Sequence, residues 1–360
     1  MSETTPPISK TSTTVYSWVM PETERLLTEL ATSPEHQTAM RELERAAWTK
    51  RQDPVHYAFA EQWREWVSPA INLPMSLLEC DLTVPTTPWH FYPTAGSSEA
   101  IRESLHELAQ ISSYSLTVGP PTIHIFEGEY EGYEALGRPM GLRVIKHDRA
   151  QWRESLKPYE GDLGAGHVFY LSQPSSIDGE WWGEFDDFVA YLSRHPMRLR
   201  LDLCYVGCVS SGTLPFLAAR TVPEDVDMIF FSLSKVFGVY YHRIGGVFSS
   251  RPMPGLWGNR WFKNLRSLYL GQQLMSAHGV FELPDRYREL QQTVTSTLHQ
   301  GIPNNLSFHC ADVFLLANQL PHARNPVYCS SYQRTKGIAR YCLTQLMDEE
   351  ARKRGLYDMP

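Results

Sequence analysis

The sequence predicts an α/β fold: one large domain built on a mostly parallel sheet flanked by helices, with a smaller domain beside it. Three observations point there. Between residues 90 and 250 short apolar runs alternate with helix-spaced segments, the pattern of strand–helix–strand units. The chain has 360 residues, 42% hydrophobic and 20% charged, an ordinary globular composition large enough for a second core. Residues 20–70, and those from about 257 to 300, carry helical periodicity instead.

Composition also excludes functions. The net charge is −7 and the 33 Lys and Arg are scattered, which argues against a nucleic-acid-binding surface. The six cysteines (Cys80, Cys204, Cys208, Cys310, Cys329, Cys342) form no CxxC pair and no zinc-like spacing. They predict reduced thiols in a cytoplasmic protein with no metal centre. No apolar run approaches the roughly 18 residues of a membrane span, and the N-terminus lacks a charged-then-apolar signal. Residues 1–15, rich in Ser, Thr and Pro, are expected to form a floppy leader.

The elements follow in order. Leu26, Leu27, Leu30, then Met40, Leu43, Ala46 and Trp48, interleaved with Glu and Arg, predict two or three helices; Trp63 and Trp66 read as packing. In HFYPTAGSSEAIRESLHELA (90–109), Ala100, Ile101, Leu105 and Leu108 mark an amphipathic helix behind Gly96, Ser97 and Ser98. That turn reads equally as an anion cradle at a helix N-terminus or as a plain serine cap with Glu99 in the first turn. TIHIF (122–126) is a strand, followed by EGEYEGYEAL with Tyr130 and Tyr133. LRVIKHD (142–148) is another strand, and HVFYLS (167–172) runs into the turn Gln173, Pro174, Ser175, Ser176, Ile177, Asp178, Gly179. MRLRLDLCYVGC (197–208) is a strand ending at Asp202, with Tyr205 and Gly207 beyond; Cys204 and Cys208 there read as small packed hydrophobes. Residues 306–319 look like a strand leading into a buried segment, and 336–350 place Arg340 on a short strand before a closing acidic helix.

The stretch FFSLSKVFGVYYHRIGGVFSS (230–250) carries the chemistry. Its apolar strand ends in Ser232, Ser234 and Lys235. A lone lysine is far more often a solvated charge. At the mouth of a buried strand it can be desolvated, which favours the neutral, nucleophilic amine. Arg243, eight residues on, is spaced to return beside it and hold a phosphate dianion.

The string S-x-S-K-x-x-G-x-x-x-x-R-x-G resembles the lysine motif of the fold-type I pyridoxal-phosphate enzymes, the aspartate aminotransferase superfamily with its class I/II aminotransferases. T-x-G-S-S-E-A-I at 94–101 resembles that family's first phosphate-binding turn. D-L-C-Y-V-G at 202–207 resembles its D-x-A-Y-x-G, and G-I-A-R-Y-C-L at 337–343 its arginine pattern near the C-terminus. The resemblance spans residues 90–345. It departs from the family at 173–179, where the usual N-P-x-N-P-T-G is replaced and Ser176 stands in the place of an asparagine.

The resemblance implies pyridoxal 5′-phosphate as cofactor and a role for each residue. Lys235 would hold it as a Schiff base and move the α-proton. Asp202 would keep the pyridine nitrogen protonated, and Tyr205 and Ser176 would bond the phenolic oxygen. Tyr130 would stack on the ring. Gly96, Ser97, Ser98, Ser232, Ser234 and Arg243 would receive the phosphate end, and Arg340 the substrate's α-carboxylate. It further implies the type I transferase architecture, with a large domain over 81–258. A smaller α+β domain would be drawn from N-terminal helices (16–80, also a dimer surface) and from 259–360. A homodimer is expected, with a donor lent by the second subunit for which Tyr57 and Tyr269 are candidates. The expected partners are amino and keto acids. An aminotransferase is the favoured activity. A β/γ-elimination, replacement or cyclisation enzyme, or a non-catalytic binding module on the same fold, remain the alternatives.

Overall fold

The protein is described by a computed structural model covering residues 10–12, 14, 18–49, 55–73, 89–113, 121–159, 166–195, 197–213, 226–261, 264–298, 307–319 and 332–358. Seven strands form the main sheet: β1 (His90–Thr94), β2 (Thr122–Phe126), β3 (Arg143–His147), β4 (His167–Ser172), β5 (Arg198–Asp202), β6 (Val226–Ser232) and β7 (Gly245–Ser249). Their order is β1-β7-β6-β5-β4-β2-β3. The run β3, β2, β4, β5, β6 is parallel, while β7 pairs antiparallel with β6 and with β1. The mostly parallel sheet expected from the alternation is present. β1, hidden by Pro93, is an addition: as an edge strand it tolerates a proline facing Gly246.

Period-two alternation splits the sheet's side chains between two cores. Phe91, Phe231 and Phe248 face α3 (Val55–Val67), where the Trp63 ring stacks on Phe231 at 4.1 Å. Tyr92, Ile123, Tyr170 and Phe230 face the other way, toward Ile101, Leu105 and Leu108 of α4 (Ser97–Ser113) and Tyr133 of α5 (Glu131–Gly137). Fully buried Arg200 on that face is neutralised by Glu107 and Asp227, at 3.3 and 3.5 Å. A burial of this kind is tolerable only when the charge is paired.

The N-terminal helices α1 (Pro21–Thr32) and α2 (Pro34–Thr49) lie ahead of α3. α6 (Trp152–Leu156) and α7 (Phe185–Leu192) fall within the span of the main sheet, and α8 (Leu265–Ala277) and α9 (Glu282–Thr297) follow it. A second sheet, all antiparallel, has the order β10-β11-β9-β8, from β8 (Phe308–Cys310), β9 (Leu316–Gln319), β10 (Gln333–Thr335) and β11 (Ile338–Cys342). α10 (Thr344–Lys353) closes the described chain. Most of the expected leader, 1–15, lies outside the described residues. Its described part runs beside β11, where the Cys342 amide donates to the Ser12 carbonyl at 2.9 Å and Lys10 pairs with Glu349 at 2.7 Å. No described helix is long and apolar enough to cross a membrane.

Candidate active site

The parallel strands end on one edge of the sheet, and their C-terminal ends carry polar residues: Ser172 on β4, Asp202 on β5, Ser232 on β6. Open α/β sheets bind ligands at this edge. A cavity of about 250 Å³ lies there, and of the residues expected to hold cofactor or substrate within one chain all but Gly96 line it. The structure therefore brings together Ser97, Ser98, Tyr130, Ser176, Asp202, Tyr205, Ser232, Ser234, Lys235, Arg243 and Arg340 from seven separate places in the chain.

Gly96 acts one step removed. Its φ is +78°, and a Cβ there would meet the Arg243 Nη2 at 2.7 Å. Only glycine lets that guanidinium approach, and only glycine adopts the angle freely. Arg243 itself has φ +53°, in the left-handed region, and donates from Nη2 to the Ala95 carbonyl at 2.7 Å and from Nη1 to the Tyr240 carbonyl at 3.1 Å. Glu99 takes over the capping of α4's entry by accepting from the Ala95 amide at 2.5 Å. Ser97 and Ser98 line the cavity instead, so the two readings of the Gly-Ser-Ser turn divide between different residues.

Lys235 leaves the end of β6 with its amine over the Tyr240 ring, 5.7 Å from the centroid. Burial lowers its pKa, nearby thiols of Cys342, Cys204 and Cys208 oppose that, and the charge of Arg340 adds to it. The shift runs toward the nucleophilic amine. Ser232 and Ser234 share a hydrogen bond at 2.9 Å beside it.

Asp202 is buried, which raises its pKa; the Cys204 thiol and amide and the Tyr133 hydroxyl oppose the rise. Tyr133 donates to it at 3.1 Å and the Cys204 amide at 3.0 Å. A carboxylate so placed is stabilised by any cation brought to it. Tyr130 sets its ring edge-on to Tyr133 at 5.4 Å, and Gly132 leaves it space, since a Cβ there would run into that ring. Tyr205 is buried, which raises its pKa.

Glu129 and Arg334 were not legible beforehand. Glu129 is buried behind the cavity, and burial raises its pKa. It accepts from the Ser172 hydroxyl at 2.6 Å and from the Ser176 hydroxyl at 2.5 Å. Ser176 thus lines the cavity, and its hydroxyl is engaged by Glu129. Arg340, also buried, donates to the Ser176 carbonyl. Arg334, Glu131, Ser172, Cys204, Tyr240 and Thr14 complete the lining. Cys204 therefore faces the cavity, whereas Cys208 packs as expected. Tyr57 and Tyr269 do not line the cavity of their own chain. Tyr57 is buried beneath the Arg260 guanidinium, and the Tyr269 hydroxyl meets His36 Nδ1 at 2.8 Å.

No family model matches the chain, and no curated protein does. Solved structures do match over nearly its whole length. A probable N-succinyldiaminopimelate aminotransferase from Thermus thermophilus is 18% identical, with a TM-score of 0.61 over 94% of this chain and 93% of that one. The chain has the fold of the type I pyridoxal-phosphate aminotransferases. A kynurenine aminotransferase from Pyrococcus horikoshii (12% identity, TM-score 0.61, 95% and 89% covered) is similar in the same way. So is an L-threonine-O-3-phosphate decarboxylase from Porphyromonas gingivalis (12%, 0.54, 95% and 99%). On this type I fold the cavity fits a flat, phosphorylated aromatic aldehyde with a basic ring nitrogen. Lys235 offers the amine, Asp202 a buried carboxylate, and Arg243 with Ser97, Ser98, Ser232 and Ser234 a cationic, hydroxyl-bearing wall of the kind a phosphate needs, beside which a Cβ at Gly96 would crowd Arg243.

Proposed function

We propose that this chain is a pyridoxal-phosphate-dependent enzyme acting on an α-amino acid, and specifically an aminotransferase. The observation that carries the reading is the convergence of Lys235, Asp202, Arg243 and Arg340 on one cavity at the carboxyl edge of the sheet. Bound pyridoxal phosphate would supply an aldehyde for amine exchange and a protonated ring able to take up the electrons of a breaking Cα–H bond. The chain's own groups do the rest. Lys235 Nζ would be freed when the incoming amine takes its place and would then be the base that removes the α-proton and hands it on; its lowered pKa suits a group that both accepts and gives up a proton. Asp202 would keep a proton on the cofactor's ring nitrogen, Tyr205 would donate to its phenolic oxygen, and Tyr130 would pack against its ring. Arg340 would hold the α-carboxylate through its forked donors and so orient the bonds at Cα.

A second reading, elimination, replacement or cyclisation, is favoured by one observation. The Ser176 hydroxyl is held by Glu129, so the donor that an asparagine would supply to the phenolic oxygen is replaced by a buried acid behind the turn. We also take the active form to be a homodimer. The exposed Tyr241, next to the cavity-lining Tyr240, supports that, and light scattering after size exclusion measures it. Incubation with an amino-acid panel, with and without 2-oxoglutarate, tests the main reading. Keto-acid-dependent glutamate formation supports transamination; ammonia or a released substituent supports the second reading. Cofactor binding with no turnover of any amino acid contradicts both and favours a non-catalytic binding module.

A further inference from the structure

Four cations line the cavity, Lys235, Arg243, Arg334 and Arg340, against the acids Glu131 and Asp202. The proposed function uses three of the four. Arg334 is left over, and its setting shows what it can take.

Arg334 sits on β10, and its side chain is 9% exposed. It reaches across to the turn after β2, where Nε and Nη2 donate to the Gly128 carbonyl at 3.2 and 2.9 Å and Nη2 to the Glu129 carbonyl at 3.1 Å. Gly128 makes that approach possible: its φ is +87°, and a Cβ there would lie 2.8 Å from the Arg334 carbonyl oxygen. Three backbone bonds thus fix the guanidinium. Its remaining nitrogen, Nη1, pairs with Glu131. The Glu131 side chain is 65% exposed. The pair is therefore asymmetric: a buried cation held by backbone carbonyls faces a solvated anion. An anion that takes Glu131's place leaves the buried guanidinium paired and returns a carboxylate to solvent, so the exchange exposes no unpaired charge. A guanidinium without a counter-ion in this setting is unfavourable, which argues against a cationic side chain drawing Glu131 away.

We infer that Arg334 is a specificity-determining residue that receives an anionic terminus on the substrate side chain, a carboxylate or a phosphate, with Glu131 as the counter-ion it displaces. The inference rests on the proposed function, which places the α-carboxylate on Arg340. Arg340 is on β11, the antiparallel neighbour of β10, and lines the same cavity. A substrate held there by one end lies within reach of Arg334 by the other.

Calorimetric binding to the cofactor-loaded protein tests this without catalysis. Glutarate, which has two carboxylates, is compared with glutaramate, in which one is an amide, and with 4-phosphonobutyrate. Glutarate or the phosphonate should bind about tenfold more tightly than glutaramate or better, the scale of a hydrogen bond to a charged group. Whichever of the two anions binds more tightly identifies the terminus. Arg334→Gln should erase the discrimination. Glu131→Gln, which leaves the backbone clamp untouched, should strengthen anion binding severalfold. Equal binding of the acid and the amide by the wild type, or discrimination that survives Arg334→Gln, overturns the inference. Turnover of neutral amino acids together with equal binding removes this inference alone. Intact discrimination with no amino acid turned over removes the proposed activity alone.

Discussion

Replacing Gly96 by alanine separates the phosphate cradle from ordinary backbone strain. The added Cβ meets the Arg243 Nη2 at 2.7 Å, closer than such contacts occur, so the guanidinium must move and its 2.7 Å bond to the Ala95 carbonyl is disturbed. A left-handed alanine also costs roughly 1–2 kcal/mol of stability. If the displaced guanidinium forfeits one charge-assisted bond to phosphate, roughly 1.5–3 kcal/mol is lost, or about a 10- to 100-fold weaker cofactor. Gly141→Ala is the control: its φ is +80°, but no atom lies within 4 Å of an added Cβ. Both variants should melt at lower temperature as apoproteins. In titrations followed by absorbance, only Gly96→Ala should bind pyridoxal phosphate more weakly, and its affinity for unphosphorylated pyridoxal should match the wild type. Wild-type affinity for the phosphorylated cofactor in Gly96→Ala, or equal weakening in Gly141→Ala, would refute the reasoning.

Other expectations follow from the same geometry. Asp202→Ala should retain bound cofactor, since the cradle is untouched, and lose most turnover; near-normal steady-state rates would contradict its role at the ring nitrogen. Glu129→Gln should keep the Ser172 and Ser176 bonds partly satisfied and leave cofactor affinity close to wild type, whereas Glu129→Leu should strand two buried hydroxyls and lower the melting temperature. A chain of three histidines crosses β3, β2 and β4: His124 Nδ1 meets His147 Nε2, and His124 Nε2 meets His167 Nδ1, each at 2.8 Å. Burial pushes His147 down to about 4 and His124 down to about 2, the latter also repelled by His147 and His167. Below pH 6.5 the unfolded chain therefore takes up protons that the folded one refuses. Each histidine then removes about 1.4 kcal/mol per pH unit until its folded value is reached. Denaturation midpoints should fall from pH 6.5 toward 4, more steeply in wild type than in His124→Phe; equal slopes would count against the histidine chain.

The residues legible in the sequence are those whose chemistry coincides with the end of an apolar strand. Asp202 and Lys235 each follow such a run, and the sheet's parallel order then brings them to one edge. Arg340 was picked out by the resemblance of G-I-A-R-Y-C-L to the family's arginine pattern near the C-terminus. Glu129 was not: Glu127, Glu129 and Glu131 alternate after β2 with nothing local to distinguish them. Only packing buries the middle one against Ser172 and Ser176. Arg334 escaped for a similar reason, because its value depends on the approach to Gly128, a contact across 206 residues of sequence. The place of Ser176 was readable, but the partner of its hydroxyl was not. β1 was masked by Pro93, whose tolerance depends on an edge position that only the assembled sheet reveals. In their own chain Tyr57 packs beneath the Arg260 guanidinium and the Tyr269 hydroxyl meets His36.

The most direct measurement is the site of covalent attachment. Protein incubated with pyridoxal phosphate, reduced with borohydride and digested should carry a pyridoxyl mass on the peptide containing Lys235, the one lysine among the described residues that lines the cavity. A label confined to other lysines, or no label at all, would contradict the central role assigned to this amine.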